Sequence, residues 1–394
     1  MIFKRFLYLL IWVFLISCTK QNNRNDFTLH PIQEKMPHAN IKSEKLEVLS
    51  ESEYVNILPE KLQLLHAFLS DDIDDFNIIE LSLLTTDAIN ISAINDSTIL
   101  ILEKDKNRLI QYSLESNVYE IIANQGRGPG DLLFARELAF HDNRAFIGMQ
   151  GFQISVFDCI DVLCEYEKTL RTDFNNYSLA PNDDSLLFLG ISRFGRDQDP
   201  DPSNTDQYLI HEVNYEGKLQ QSFLPIYDDR APLVREQMSS GGWIRSFPEL
   251  KTHVFTFDIF PQIYMYNIDG ELIARYQLPG FMQRGYEYME SRDGGFTGRL
   301  QYEGSYSQLT FATIVNETWL LLGKRERRNI KFIDWQEGFK SDEWYSYYAL
   351  NIFDHNLYKI GDDKLFPYGE SRVVFVVDQG LVISENGTLY MVRQ

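Results

Sequence analysis

Few residues in this chain stand at spacings that do chemistry unaided. Cys159 and Cys164 flank Ile160-Asp161-Val162-Leu163. Two thiols this close can bridge across a hairpin if their Cα atoms come within about 7 Å, or stay as separate buried thiols, since strand register decides. No second cysteine pair and no histidine at ligand spacing accompanies them, so neither a metal nor a cofactor is expected. The seven histidines, at 30, 38, 66, 141, 211, 253 and 355, are scattered. There is no Gly-x-Ser-x-Gly elbow, no His-Glu-x-x-His pair and no calcium-loop pattern. Asp197-Gln198-Asp199-Pro200-Asp201 could hold a cation, but an acidic, proline-containing loop reads first as a solvated one. Binding chemistry is more plausible in three stretches, Ser192 to Gln207, Tyr227 to Gly242 and Gly280 to Ser307, rich in Arg, Asp, Tyr, Gly and Trp. Aromatic rings flanked by guanidinium groups suit sugar faces or extended peptides. The candidate ligand-binding residues are Arg193, Arg196, Trp243, Arg245, Tyr286, Arg292 and Tyr302, against the plainer reading that the aromatics pack loops onto the fold.

Compartment is more legible. Lys4 and Arg5 precede an apolar run from Phe6 to Ile16, a secretory signal too short for a comfortable membrane span. Its ending, Leu15-Ile16-Ser17-Cys18, resembles the bacterial lipobox, which makes Cys18 the lipidated new N-terminus. Residues 1–17 are thus expected as signal peptide and 18–43 as a flexible polar tether. The folded part is expected in the cell envelope, periplasmic or associated with the outer membrane. Loss of residues 1–17 removes two cations and leaves 35 Lys plus Arg against 57 Asp plus Glu, near −22. Nucleic acid and anionic membrane surfaces need positive patches and are therefore poor partners. One basic run, Lys324-Arg325-Glu326-Arg327-Arg328, reads as a solvated turn between two strands.

The elements that must position these residues repeat one plan: an apolar run, a tight polar turn, a second apolar run, and an Asn/Asp/Gly turn. The second-turn marks at Tyr112, Phe157, Asn214, Asn267, Asp334 and Tyr390 are 45 to 67 residues apart. A four-stranded propeller blade takes roughly 40 to 50 residues, and the longer intervals carry the insertions. Blade one is a meander of Ala88 to Ile94, Ser97 to Leu102, Arg108 to Leu114 and Val118 to Ile122. Blade five is read as Leu309 to Ile314, Trp319 to Leu322, Ile330 to Asp334 and an outer strand near Tyr345 to Ile352. The last copy has only three strands, Val373 to Val377, Leu381 to Ser384 and Leu389 to Val392. An orphan strand at Ile78 to Leu83 supplies the fourth, closing the ring and hiding an edge. The expectation is an all-β, six-bladed propeller over 76–394, preceded by a partly helical extension over 44–75 with a short helix between Leu58 and Leu69.

Gln125-Gly126-Arg127-Gly128-Pro129-Gly130-Asp131 resembles the Gly-x-Gly-Pro-Gly-Glu/Asp turn of the six-bladed, TolB-like propeller lipoproteins of Bacteroidetes. The opening strand and the lipobox fit that resemblance, which implies fold and compartment and no chemistry, since most of the family lacks an assigned activity. A phosphate-cradling loop would lead into a helix and carry Lys-Ser/Thr, whereas this one leads to another strand, so Gly126, Gly128, Pro129 and Gly130 read as a structural turn. Two function classes follow: a lipid-anchored binding or interaction module for a glycan, peptide or envelope protein, and a propeller-type glycan lyase or hydrolase with its site in the axial funnel. The first is preferred because no acid/base constellation is readable.

Overall fold

The computed structural model describes residues 33–46, 48–49, 57–70, 77–84, 89–150, 152–160, 163–172, 174–191, 208–227, 238–239, 241–290, 296–300, 304–334, 338–362, 372–377, 380–385 and 388–393. Six sheets, each built on four antiparallel strands, account for most of them. Their first strands are Ile89–Asn95, Ala135–His141, Ser178–Pro181, Gly242–Phe247, Gly304–Asn316 and Arg372–Val377, in blades one to six. Each first strand contacts that of the next blade, and the sixth returns to the first, so these strands line the axis of a six-bladed propeller.

The core explains why the blade strands read as unbroken apolar runs. A blade is covered on both faces by its neighbours, so alternate side chains enter different cores. In Thr98–Glu103, Ile99 and Ile101 pack toward blade six while Leu100 and Leu102 pack toward blade two. Six apolar clusters result, one per interface between neighbouring blades. Fully burying one such leucine or isoleucine is worth about 1.5–3 kcal/mol, which makes these interfaces the main source of stability.

Ring closure follows the expected route: Asn77–Leu84 pairs antiparallel with Thr388–Arg393 as the outer strand of blade six. The segment before it does more than extend. Glu44–Lys45 adds a parallel fifth strand to blade four and Val48–Leu49 another to blade five. The helix Glu60–Leu69 then seats Leu62, Leu64 and Leu65 in the apolar cluster of blades five and six. Packing of the arm is described from Gln33 onward, inside the stretch expected as a tether. Met36 is buried, Tyr264 Oη donates to Pro37 O (3.0 Å), and His38 Nε2 lies 2.9 Å from Tyr266 Oη.

Blade five departs most from expectation. Its second strand runs from Trp319 to Asp334 and its third from Gly338 to Asn351, with Leu357–Asp362 outermost. The Lys324 to Arg328 run is therefore strand interior, with Lys324 to Arg327 paired on both sides, and not a turn. Its charges are tolerated because carboxylates sit among them: Glu326 holds Lys324 and Arg328, while Glu343 of the third strand holds Arg325 and Arg327. Blade one matches its expected strands to within a residue at each end.

The glycine turn carries the chain from Val118–Ala123 of blade one to Ala135–His141 of blade two, as expected. Asp131 closes it by accepting from the Gly128 N–H (2.7 Å), and a Cβ on Gly126 would lie 2.1 Å from the same carboxylate oxygen. Gly130 has φ +81°, a left-handed conformation that side chains resist. Cys159 and Cys164 are bridged, with Cα atoms 4.1 Å apart, across the turn between the last two strands of blade two.

Candidate functional site

Connectivity separates the two ends of the propeller. In a four-stranded meander the first-to-second and third-to-fourth turns lie at one end, and the second-to-third turns and blade-to-blade links lie at the other. The strands that flank 192–207, 228–240 and 280–303 all meet those segments at the linking end. A cavity of about 480 Å³ lies at the opposite end, on the axis, lined by first-strand residues of all six blades.

Its walls are mixed: each blade contributes an apolar residue, Ile91, Leu138, Leu179, Phe247, Ile314 and Val376, and the first strands also bring Ser92, Arg245, Ser246 and Thr313. Charged carboxylates stand at the mouth. The first-to-second turns place the exposed carboxylates of Asp183, Glu249 and Glu317 in the lining, Asp184 shares the turn of Asp183, and Asp96 and Asp142 stand on the corresponding turns of blades one and two. His141 Nε2 lies 3.3 Å from Asp183 Oδ1, joining the turns of blades two and three. Aspartate is among the residues that tight turns favour, so the acidic rim follows in part from turn chemistry repeated around an axis.

Arg245 forms the floor. Its Nε donates to Ala312 O (2.8 Å), Nη1 to Ile244 O (2.7 Å) and Ser178 Oγ (3.3 Å), and Nη2 to Glu137 Oε1 (3.3 Å). One side chain thereby ties the first strands of blades two, three, four and five. Burial pushes the pKa of this guanidinium down, and Glu137 opposes the shift. Burial likewise lowers Lys104, whose charge is favoured by Glu137 and Asp105 and disfavoured by Arg245. Arg245 is thus a cavity-floor residue whose donors are engaged by protein, in place of the loop contact expected for it.

The other candidates fall differently. Trp243 is half-buried and packs on the apolar cluster between blades four and five, which is the plainer role. Tyr286 opens a two-stranded hairpin, Tyr286–Glu290 with Phe296–Leu300, inside a stretch read as loop. Cys18, Arg193, Arg196, Arg292, Tyr302 and the Asp197 to Asp201 string lie outside the described residues. Sequence reasoning missed Glu137, Lys104 and the mouth carboxylates, because their convergence depends on which first strands neighbour each other across the axis. Among the described residues no group of three His, Cys, Asp or Glu could hold a metal ion. No described helix is long and apolar enough to cross a membrane.

No family model and no curated protein matches the chain. Solved structures similar to it include a member of the DUF4221 family from Bacteroides vulgatus, at 10% identity and TM-score 0.49, covering 82% of this chain and 97% of that one. A putative exported protein from Bacteroides fragilis is similar at 12% identity and TM-score 0.47, covering 81% and 95%. A virginiamycin B lyase from Staphylococcus aureus is similar at 9% identity and TM-score 0.42, covering 81% and 100%. The propeller assignment rests on the strand order and the closed ring of first strands.

Proposed function

We propose that this chain is a lipid-anchored, extracytoplasmic propeller that binds its ligand in the axial cavity, and that the ligand is a peptide segment of an envelope protein carrying a basic side chain. The observation that supports this reading is the cavity itself, with an apolar side chain from each of six blades in its walls and carboxylates at its mouth. A lysine or arginine side chain matches that pattern, its stem against the walls and its charged head among Asp183, Glu249 and Glu317. Binding is preferred to turnover because Arg245 and Glu137 neutralise one another at the floor. Anchoring through Cys18 would hold the propeller at a membrane surface, where such segments are presented.

The test is titration of the full-length chain, in mild detergent, with lysine- and arginine-containing peptides and with neutral oligosaccharides, read by fluorescence anisotropy and thermal shift. Saturable peptide binding that weakens with salt, and about fivefold in Glu249→Gln or Glu317→Gln, is expected from roughly 1 kcal/mol per exposed charge at contact distance. Binding of neutral oligosaccharides alone would overturn the choice of ligand. Release of a cleaved product would overturn the choice of binding over turnover.

A further inference from the structure

Two exposed apolar side chains share the mouth end of the propeller with the acidic rim. Among the described residues, Phe353 and Ile160 are the most exposed large apolar side chains, at 76% and 72%. Phe353 stands on the third-to-fourth turn of blade five, between Gly338–Asn351 and Leu357–Asp362. Ile160 stands on that of blade two, between Gln153–Asp158 and Glu165–Arg171. Blades two and five lie opposite one another in a ring of six, so the two side chains stand on opposite sides of the cavity mouth. Leu163, on the same turn as Ile160, and Ile268, on the corresponding turn of blade four, are exposed as well.

An apolar tip on a loose turn would carry little meaning, but both turns are held. The Cys159–Cys164 bridge closes the turn that carries Ile160 and Leu163. Cys159 N donates to Asn143 O (2.7 Å), Ile160 N to Asp158 Oδ1 (3.2 Å) and Cys164 N to Gln111 Oε1 of blade one (3.0 Å). In blade five, Asn351 Oδ1 accepts from the N–H groups of Phe353 (2.9 Å) and Asp354 (3.3 Å), and His355 N donates to Asn351 O (3.0 Å). His355 Nδ1 lies 2.5 Å from Tyr276 Oη, which ties this turn to blade four. A tip fixed before contact loses less freedom on binding and so yields more affinity. Between the tips the face is acidic, with Asp183, Glu249 and Glu317 at the cavity mouth and the exposed Asp354 beside Phe353. That pattern repels an anionic membrane surface and suits a cationic partner.

We infer that Ile160 and Phe353 are outlying anchors for an extended peptide segment, whose central lysine or arginine enters the axial cavity and whose apolar residues on either side rest on these two tips. The inference rests on the reading of the cavity as a site for a basic side chain, and it adds the sequence pattern of the ligand. Taken as a sphere, the cavity is about 10 Å across, and the third-to-fourth turns stand two and a half strand spacings, about 12 Å, outside the first strands. Each tip is thus roughly 17 Å from the axis, the reach of about five residues of extended chain. The ligand is then a segment of about eleven to thirteen residues, basic in the middle and apolar toward both ends.

The experiment titrates the full-length chain, in mild detergent, with two fluorescent peptides of about 13 residues, each with a central lysine among serines and glycines. One carries leucine pairs about five and six residues to either side of the lysine, so that one leucine of each pair shares the lysine's face, and the other carries serines there. The leucine peptide is expected to bind about tenfold tighter or more. Ile160→Ser and Phe353→Ser should each remove several-fold of that advantage and leave the affinity of the serine peptide unchanged. Val118→Ser, at an exposed apolar position on the outer strand of blade one, should change neither. Equal affinity for the two peptides, or a leucine advantage that persists in I160S/F353S, would overturn the inference and leave the cavity reading standing, because the serine peptide tests the cavity alone. Binding of neither peptide would overturn both.

Discussion

Replacing Arg245 by methionine should destabilise the propeller more than any surface change, and the size follows from what the guanidinium touches. The substitution leaves Glu137, whose side chain is 6% exposed, without its partner across the axis. Breaking a buried pair from one side costs about 3–5 kcal/mol, and the carbonyls of Ala312 and Ile244 also lose a charged donor. Lys104 remains near Glu137 and offsets part of this, so the expectation is about 4 kcal/mol. With roughly 2.1 cal/mol/K of unfolding entropy per residue over about 300 ordered residues, that is a fall in Tm of about 6 °C. Glu137→Leu alone should cost a comparable amount, because it leaves Arg245 buried beside Lys104. The double variant should return to within about 1 kcal/mol of wild type, since both desolvated charges are gone. Calorimetric or urea unfolding of the four chains measures the coupling. A cost under about 1 kcal/mol for Arg245→Met, or a double variant as unstable as the sum of the singles, would refute the view of this pair as a coupled axial staple.

Three further outcomes are expected. Burial lowers the pKa of His211 to about 3 and that of His253 to about 4, the latter against an opposing pull from Glu212. The unfolded chain then binds more protons below pH 6.5, so stability should fall with pH by up to about 1.4 kcal/mol per unit for each histidine, down to about pH 4 for His253 and pH 3 for His211. Thermal unfolding between pH 7 and 4 measures the slope, which His253→Asn should make shallower. Reducing the Cys159–Cys164 bridge, or replacing both cysteines by serine, should cost about 2 kcal/mol on the loop-entropy scale for so short a loop. A thiol count in denaturant before and after reduction checks that the bridge is present. Gly130→Val should cost about 1–2 kcal/mol by forcing a β-branched residue to positive φ, and urea unfolding reads it directly.

Trp243 shows how a candidate residue can mislead an assay. Because its ring packs between blades four and five, Trp243→Ala removes core contacts, and lost binding in that variant would report a loosened propeller as readily as a lost ligand contact. Substitutions at Glu249 and Glu317, both exposed, carry no such ambiguity.

What the sequence determined by itself was local in origin. Turn residues and the apolar runs between them are written within a few residues, so the blade count and the four strands of blade one were legible. The borrowed strand that closes blade six was legible too, because a propeller leaves no unpaired outer edge unexplained. The glycine turn followed from the conformations that Gly and Pro allow. The tertiary structure alone decided whatever rests on partners far away in the chain. Lys324 to Arg328 is a strand and not a turn because Glu343 from a neighbouring strand and Glu326 from within pair with its cations. The arm from Gln33 packs because Tyr264, Tyr266 and Arg275 receive its backbone and His38. Arg245 closes a cavity floor because ring closure brings Glu137, Ser178 and Ala312 to it from three other blades. Hydrophobic periodicity records which side of a strand is buried, but it carries no record of which charges will meet once the ring is closed.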